Sequence, residues 1–82
     1  MQHTLKHPIT TPTGQTITTL EVRRAKVKDI KDAHRYSDKE AEQEIALLAK
    51  LCTPTLTPED IEELDVADYR ALQGIFRGMV AE

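Results

Sequence analysis

The sequence predicts an α+β fold: an N-terminal β-hairpin packed on a small bundle of three to four helices. Three observations lead there. Residues 2–24 contain two strand-like runs separated by proline and glycine. Residues 37–52 carry an apolar arc too wide for a helix lying on one surface. Residues 56–80 contain two helix-start signatures in succession. With 82 residues, 39% hydrophobic and 30% charged, the chain suits one domain over 1–82, its hairpin at 2–24 and its helical part at 26–80. A domain this small buries about 60% of its unfolded surface.

In the hairpin, His3, Leu5 and His7 alternate with Gln2, Thr4 and Lys6, and Thr16-Ile-Thr-Thr-Leu-Glu-Val-Arg23 is rich in β-branched residues. Pro8, Pro12 and Gly14 punctuate the stretch between, and Gly14 is suited to a positive φ. Ile17 is out of phase with Leu20 and Val22, which predicts a bulge near Thr18 and Thr19, with Leu20 and Val22 facing the core. Next, Val27, Ile30, Ala33 and His34 share one face of a short amphipathic helix.

The central helix is expected to organise the core. Ser37 and Glu40 have the spacing of a capping box, and Glu40, Glu42 and Glu44 sit near the positive end of the helix dipole. Ala41, Ile45, Leu48, Ala49 and Cys52 fall together, with Leu47 and Leu51 beside them, making an arc of about 200°. Such a helix is covered from two sides. Glu44 is the one polar residue projecting into the arc, and Arg23 or Arg24 at the hairpin's end is its expected partner. Pro54 ends the helix near Cys52.

Thr57 then suits an N-cap and Pro58 the first helical position, with Leu56 positioned to staple onto Ile61, which predicts a short helix over 58–64. Asp65 opens the last helix by the same device. One face of that helix gathers Tyr69, Leu72, Ile75, Phe76, Met79 and Val80, together with Val66. The other carries a stripe of small residues, Ala67, Ala71, Gly74 and Gly78. Two glycines inside a helix each cost about 1 kcal/mol relative to alanine, and close approach of another backbone is one way to offset that. A bulky face and a small face on one helix of so short a chain suggest a partner.

Chemistry-bearing constellations are missing from the sequence. His3 and His7 share one side of a strand but stand about 13 Å apart at ~3.3 Å per residue, too far to share an ion. Cys52, the single cysteine, can form neither an internal disulfide nor a multi-cysteine zinc site, and a reducing cytoplasm suits it. There is no glycine-rich phosphate loop, no paired nucleophile and base, no secretory h-region and no apolar run near the ~20 residues that span a membrane. The expectation is a chain with no catalytic or metal-binding residues and no cofactor. Residues 1–36 hold seven Lys/Arg against three Asp/Glu, and residues 37–82 hold four against eleven. Clustered Arg23, Arg24, Lys26, Lys28, Lys31 and Arg35 raise a nucleic-acid reading, since such groups neutralise phosphates. Asp29 and Asp32 interrupt that run, no aromatics are interleaved with it, and the chain is acidic overall, all of which weigh against nucleic acid.

The order of segments is more telling than any one of them. A hairpin ending in Leu20-Glu-Val-Arg-Arg24 is followed by a helix start at Lys26-Val-Lys-Asp-Ile30. Then come Ala41-Glu-Gln-Glu-Ile-Ala-Leu-Leu-Ala49, the link Leu56-Thr-Pro-Glu-Asp-Ile-Glu-Glu-Leu64 and the ending Asp68-Tyr-Arg-Ala-Leu-Gln73. From about residue 4 to 80 the chain resembles the small tail assembly chaperones of contractile-tailed phages, the Mu-like and P2-like type. It departs from them in Ala25, where proline is expected, and Lys28, where glycine is commoner.

The resemblance implies a non-enzymatic assembly factor of the host bacterial cytoplasm. Such a factor coats the aggregation-prone tape measure protein until the tail tube polymerises around it, and is absent from the mature virion. It also implies self-association, a longer frameshifted form of which this chain would be the short counterpart, and the tail tube protein as a second candidate partner. The bulky face of the last helix is the expected partner-binding ridge, and Arg23 and Arg24 are the expected charged contacts. The alternatives are a small nucleic-acid-binding regulatory protein and a minor structural component of the tail.

Overall fold

A computed structural model describes residues 1–81. Strand β1 (Gln2–Thr10) and strand β2 (Thr16–Val22) form the antiparallel hairpin, turning at Gly14, whose φ is +88°. The predicted irregularity is present, but the extra residues lie on β1. Thr4 pairs with Thr19 and Ile9 with Ile17, so Leu5 to Pro8 of β1 stand opposite Thr18 alone. This is what allows both Ile17 and Leu20 to be buried although they are three residues apart.

Helix α1 (Val27–Tyr36) corrects the expected face. Val27 is 83% exposed and Ile30 42% exposed, while Asp29 and Ala33 point inward. The cause is an ion pair. Arg23, leaving the hairpin, donates two 2.9 Å hydrogen bonds to the Asp29 carboxylate, which also accepts the Lys26 N–H at 2.8 Å. Three charge-assisted or backbone bonds fix the rotation of the helix, and the exposed valine and isoleucine are too few to reverse it.

Helix α2 (Glu40–Leu51) buries Leu47, Leu48, Ala49 and Leu51, with Leu48 wholly enclosed. The capping box at Ser37 and Glu40 does not form. Ser37 Oγ instead accepts the Lys39 N–H at 3.1 Å and donates to Glu42 at 2.6 Å. Nor is the wide arc filled along its whole length, since Ala41 is exposed and Ile45 half-buried, so only the second half of α2 is covered on two sides. Cys52 belongs not to the helix but to a two-residue strand, β3 (Cys52–Thr53), which pairs with β2 at Val22 and Glu21 and completes a sheet in the order β1-β2-β3.

Helix α3 (Pro58–Glu62) follows its sequence signals closely. Thr57 accepts the Asp60 N–H at 3.2 Å, Asp60 returns a bond to the Thr57 N–H at 3.1 Å, and Leu56 and Ile61 are both buried. Helix α4 (Val66–Val80) is capped by Asp65, whose carboxylate accepts the Ala67 N–H at 2.9 Å. It crosses β1 and α2, burying Asp68, Leu72 and Met79. The core gathers Leu5, Ile17, Leu20 and Val22 from the sheet with Leu48, Leu51 and Leu72 from the helices.

A Cβ added at Gly74 or Gly78 would meet no neighbouring atom within 4 Å, so among the described residues no other backbone approaches the stripe at its two glycines. Gly74→Ala is therefore expected to stabilise the free chain by about 1 kcal/mol through helix propensity alone, read as a higher urea midpoint with unchanged slope.

Candidate partner-binding groove

Because only half of α2 is covered, an open groove of about 510 Å³ remains between α1 and α4. Ile30, Ala33 and His34 line it from α1, and Phe76 and Arg77 from α4. Between them α2, which packs on both helices, supplies Glu40, Ala41, Gln43, Glu44 and Leu47. The local sequence explains its shape: alanines at 33 and 41 leave room, and Leu47 and Phe76 give an apolar lining where the three helices converge. A second, smaller hollow of about 250 Å³ lies beyond α2, lined by Ile45, Ile61, Leu64, Val66 and Tyr69 with Glu62.

The structure divides the expected ridge of α4. Leu72 and Met79 are core residues, at 0% and 7% exposure, while Tyr69, Ile75 and Phe76 are half-buried and Val80 is 60% exposed. Phe76 alone of the six lines the groove, and Tyr69 lines the smaller hollow. Ala67, Gly74 and Gly78 are exposed and Ala71 half-buried, a stripe open to solvent. Of the two expected partners of Glu44, Arg23 is given over to Asp29, and Glu44 accepts the Gln73 side-chain N–H at 2.7 Å. Ile30, Ala41 and Leu47 were not singled out as binding residues by sequence, because the groove exists only once three helices are in place.

Two buried carboxylates hold the frame around the groove, and both are ionised. Arg23 and the Lys26 N–H hold Asp29 well below the usual carboxylate range, against the cost of burial; Lys50, 3.7 Å away, adds to the effect. Burial by itself would push Asp68 up, but hydrogen bonds from the Lys6 N–H at 2.9 Å, His3 Nε2 at 3.0 Å and the His7 N–H at 3.0 Å outweigh it and leave Asp68 lowered. The donors at residues 6 and 7 are those freed by the irregular stretch of β1. A depressed folded-state pKa gives stability that is complete above the unfolded value near ~4 and is lost as the pH falls through the folded value. Urea titrations should therefore show stability falling below about pH 4, with a shallower fall in Asp29→Asn.

Burial raises the Cys52 thiol to about 11, which removes it as a nucleophile at neutral pH. Among the described residues no three His, Cys, Asp or Glu side chains come together as metal ligands, and no helix is long and apolar enough to cross a membrane. What the fold offers is a hairpin-anchored frame with an open groove between three helices, lined by five apolar and five polar or charged side chains.

The family follows from comparison. A family model described as phage tail assembly chaperone proteins, E, or 41 or 14, matches residues 2–81, and the chain belongs to that family. It is a family of chaperones and not an enzyme class. Neither the curated proteins nor the solved structures give a significant match.

Proposed function

We propose that this tail assembly chaperone binds the tape measure protein and keeps it soluble until the tail tube polymerises around it. The observation that carries this reading is the groove between α1, α2 and α4. A tape measure is long and helical, and an amphipathic helix laid in an apolar groove is a common way for one protein to cover another. The chain acts as one domain, in several copies along its partner, with tail tube subunits displacing it. It works without catalysis in the host cytoplasm and does not remain in the virion; a longer frameshifted form is its natural counterpart.

The test is co-expression with the tape measure protein encoded nearby, followed by pull-down and light scattering. A soluble complex with several copies per tape measure is the expected result. A tape measure that aggregates as it does alone, with no chain bound, would overturn the reading. Binding to duplex DNA that weakens steeply with salt would replace it with the regulatory alternative.

A further inference from the structure

Resting on the reading of this groove as the partner's seat, we infer that it is selective for charge: the occupant is an amphipathic helix carrying Lys or Arg one turn apart beside its apolar stripe, paired with Glu40 and Glu44. These two carboxylates stand at i and i+4 on α2 and both line the groove. Like charges at that spacing repel along a helix. Glu40 lies in the first turn, where the helix dipole accounts for an acid, but Glu44 lies beyond it. The amide of Gln73 satisfies one oxygen of Glu44 without neutralising its charge. Arg77, the one Lys or Arg in the lining, comes from α4. The two carboxylates outnumber that one guanidinium, so the groove carries an excess of negative charge beside Ile30, Leu47 and Phe76. A helix running along α2 repeats its side chains at the same pitch, so two basic residues at i and i+4 meet both glutamates while the adjoining stripe at i+3 and i+7 enters the apolar part.

The experiment is selection from a displayed library of helical peptides of about 18 residues, long enough to hold several turns. Apolar identities vary on the stripe, and Lys, Glu and Gln vary on both flanks. The library is selected separately on the wild-type chain and on Glu40→Lys/Glu44→Lys, with thermal melts establishing that both proteins are folded. Glu40→Lys alone, at an exposed position, serves if the double variant is not folded.

The expected result is enrichment of Lys at two flanking positions four apart on the wild type and of Glu at those positions on the variant. Exchanged clones should bind about tenfold more weakly, an effect that shrinks as salt is raised. If both proteins select the same apolar stripes without charge preference, and Ala41→Trp blocks both, the groove remains the seat and the charge inference fails. If Ala41→Trp blocks no clone, the groove reading fails as well. If the wild-type chain sediments as a dimer or larger and Ala41→Trp as a monomer, the occupant is a second copy and the inference is overturned.

Discussion

Asp68→Ala is expected to destabilise the chain by about 3–5 kcal/mol, a large part of the ~5–10 kcal/mol that holds a domain of this size. The carboxylate is fully enclosed and accepts three hydrogen bonds, one from the His3 ring and two from the backbone at Lys6 and His7. Those two backbone donors have no ladder partner, because four residues of β1 face one residue of β2 at that point. Removing the acceptor strands donors whose desolvation costs about 1–3 kcal/mol each. It also cuts the polar tie between the first turn of α4 and the sheet. Urea denaturation should show the loss as a lower midpoint, and thermal melting as a drop of at least about 12 °C.

Two comparisons make the cause legible. His3→Ala removes one donor and leaves the other two bonds in place, so its cost should be clearly smaller. In the Asp68→Ala background it should cost little more, since the bond it would break is already gone. A loss for Asp68→Ala within about 0.5 kcal/mol of zero, the range of an ordinary surface substitution, would mean that the irregular stretch of β1 finds water as a partner instead.

Asp68 and Asp29 also mark where sequence reasoning reached and where it stopped. Features made by neighbours in sequence were legible: the turn at Gly14, the cap at Thr57 with Pro58 behind it, the start of α4 at Asp65 and the phase break at Ile17. The face of α1 was not. Hydrophobic periodicity favoured Val27, Ile30 and His34, but the bond between Arg23 and Asp29 set the rotation, and a pairing across six residues of differing structure leaves no periodic trace. In α4, an acid at the first turn reads as a dipole partner, although Asp68 stands four residues before buried Leu72 on the same face. Strand β3 has two residues, too short to show alternation. The groove was the least legible feature, because each of its linings is an ordinary helix surface until α1, α2 and α4 are set side by side.

That groove gives the second large expectation, a loss of binding without a loss of fold. Ile30→Glu should weaken the proposed complex with the tape measure protein by about 30-fold or more, the effect of removing a hot spot worth ~2 kcal/mol. Ile30 is 42% exposed in the free chain, so the substitution should move its stability by no more than about 0.5 kcal/mol. In the complex the new carboxylate would have to lose water beside Glu40 and Glu44, where Arg77 is the one Lys or Arg in the groove lining. Phe76→Ala reports on the same surface less cleanly, because Phe76 also packs against the core. Two controls separate the surfaces of the molecule. Thr18→Glu, on the exposed face of the hairpin, should leave the complex intact, and so should Val66→Glu at the smaller hollow. Loss of binding in Val66→Glu with full binding in Ile30→Glu would move the partner to the far side of α2. The same frame would then present Tyr69, and not Phe76, to the proposed partner helix.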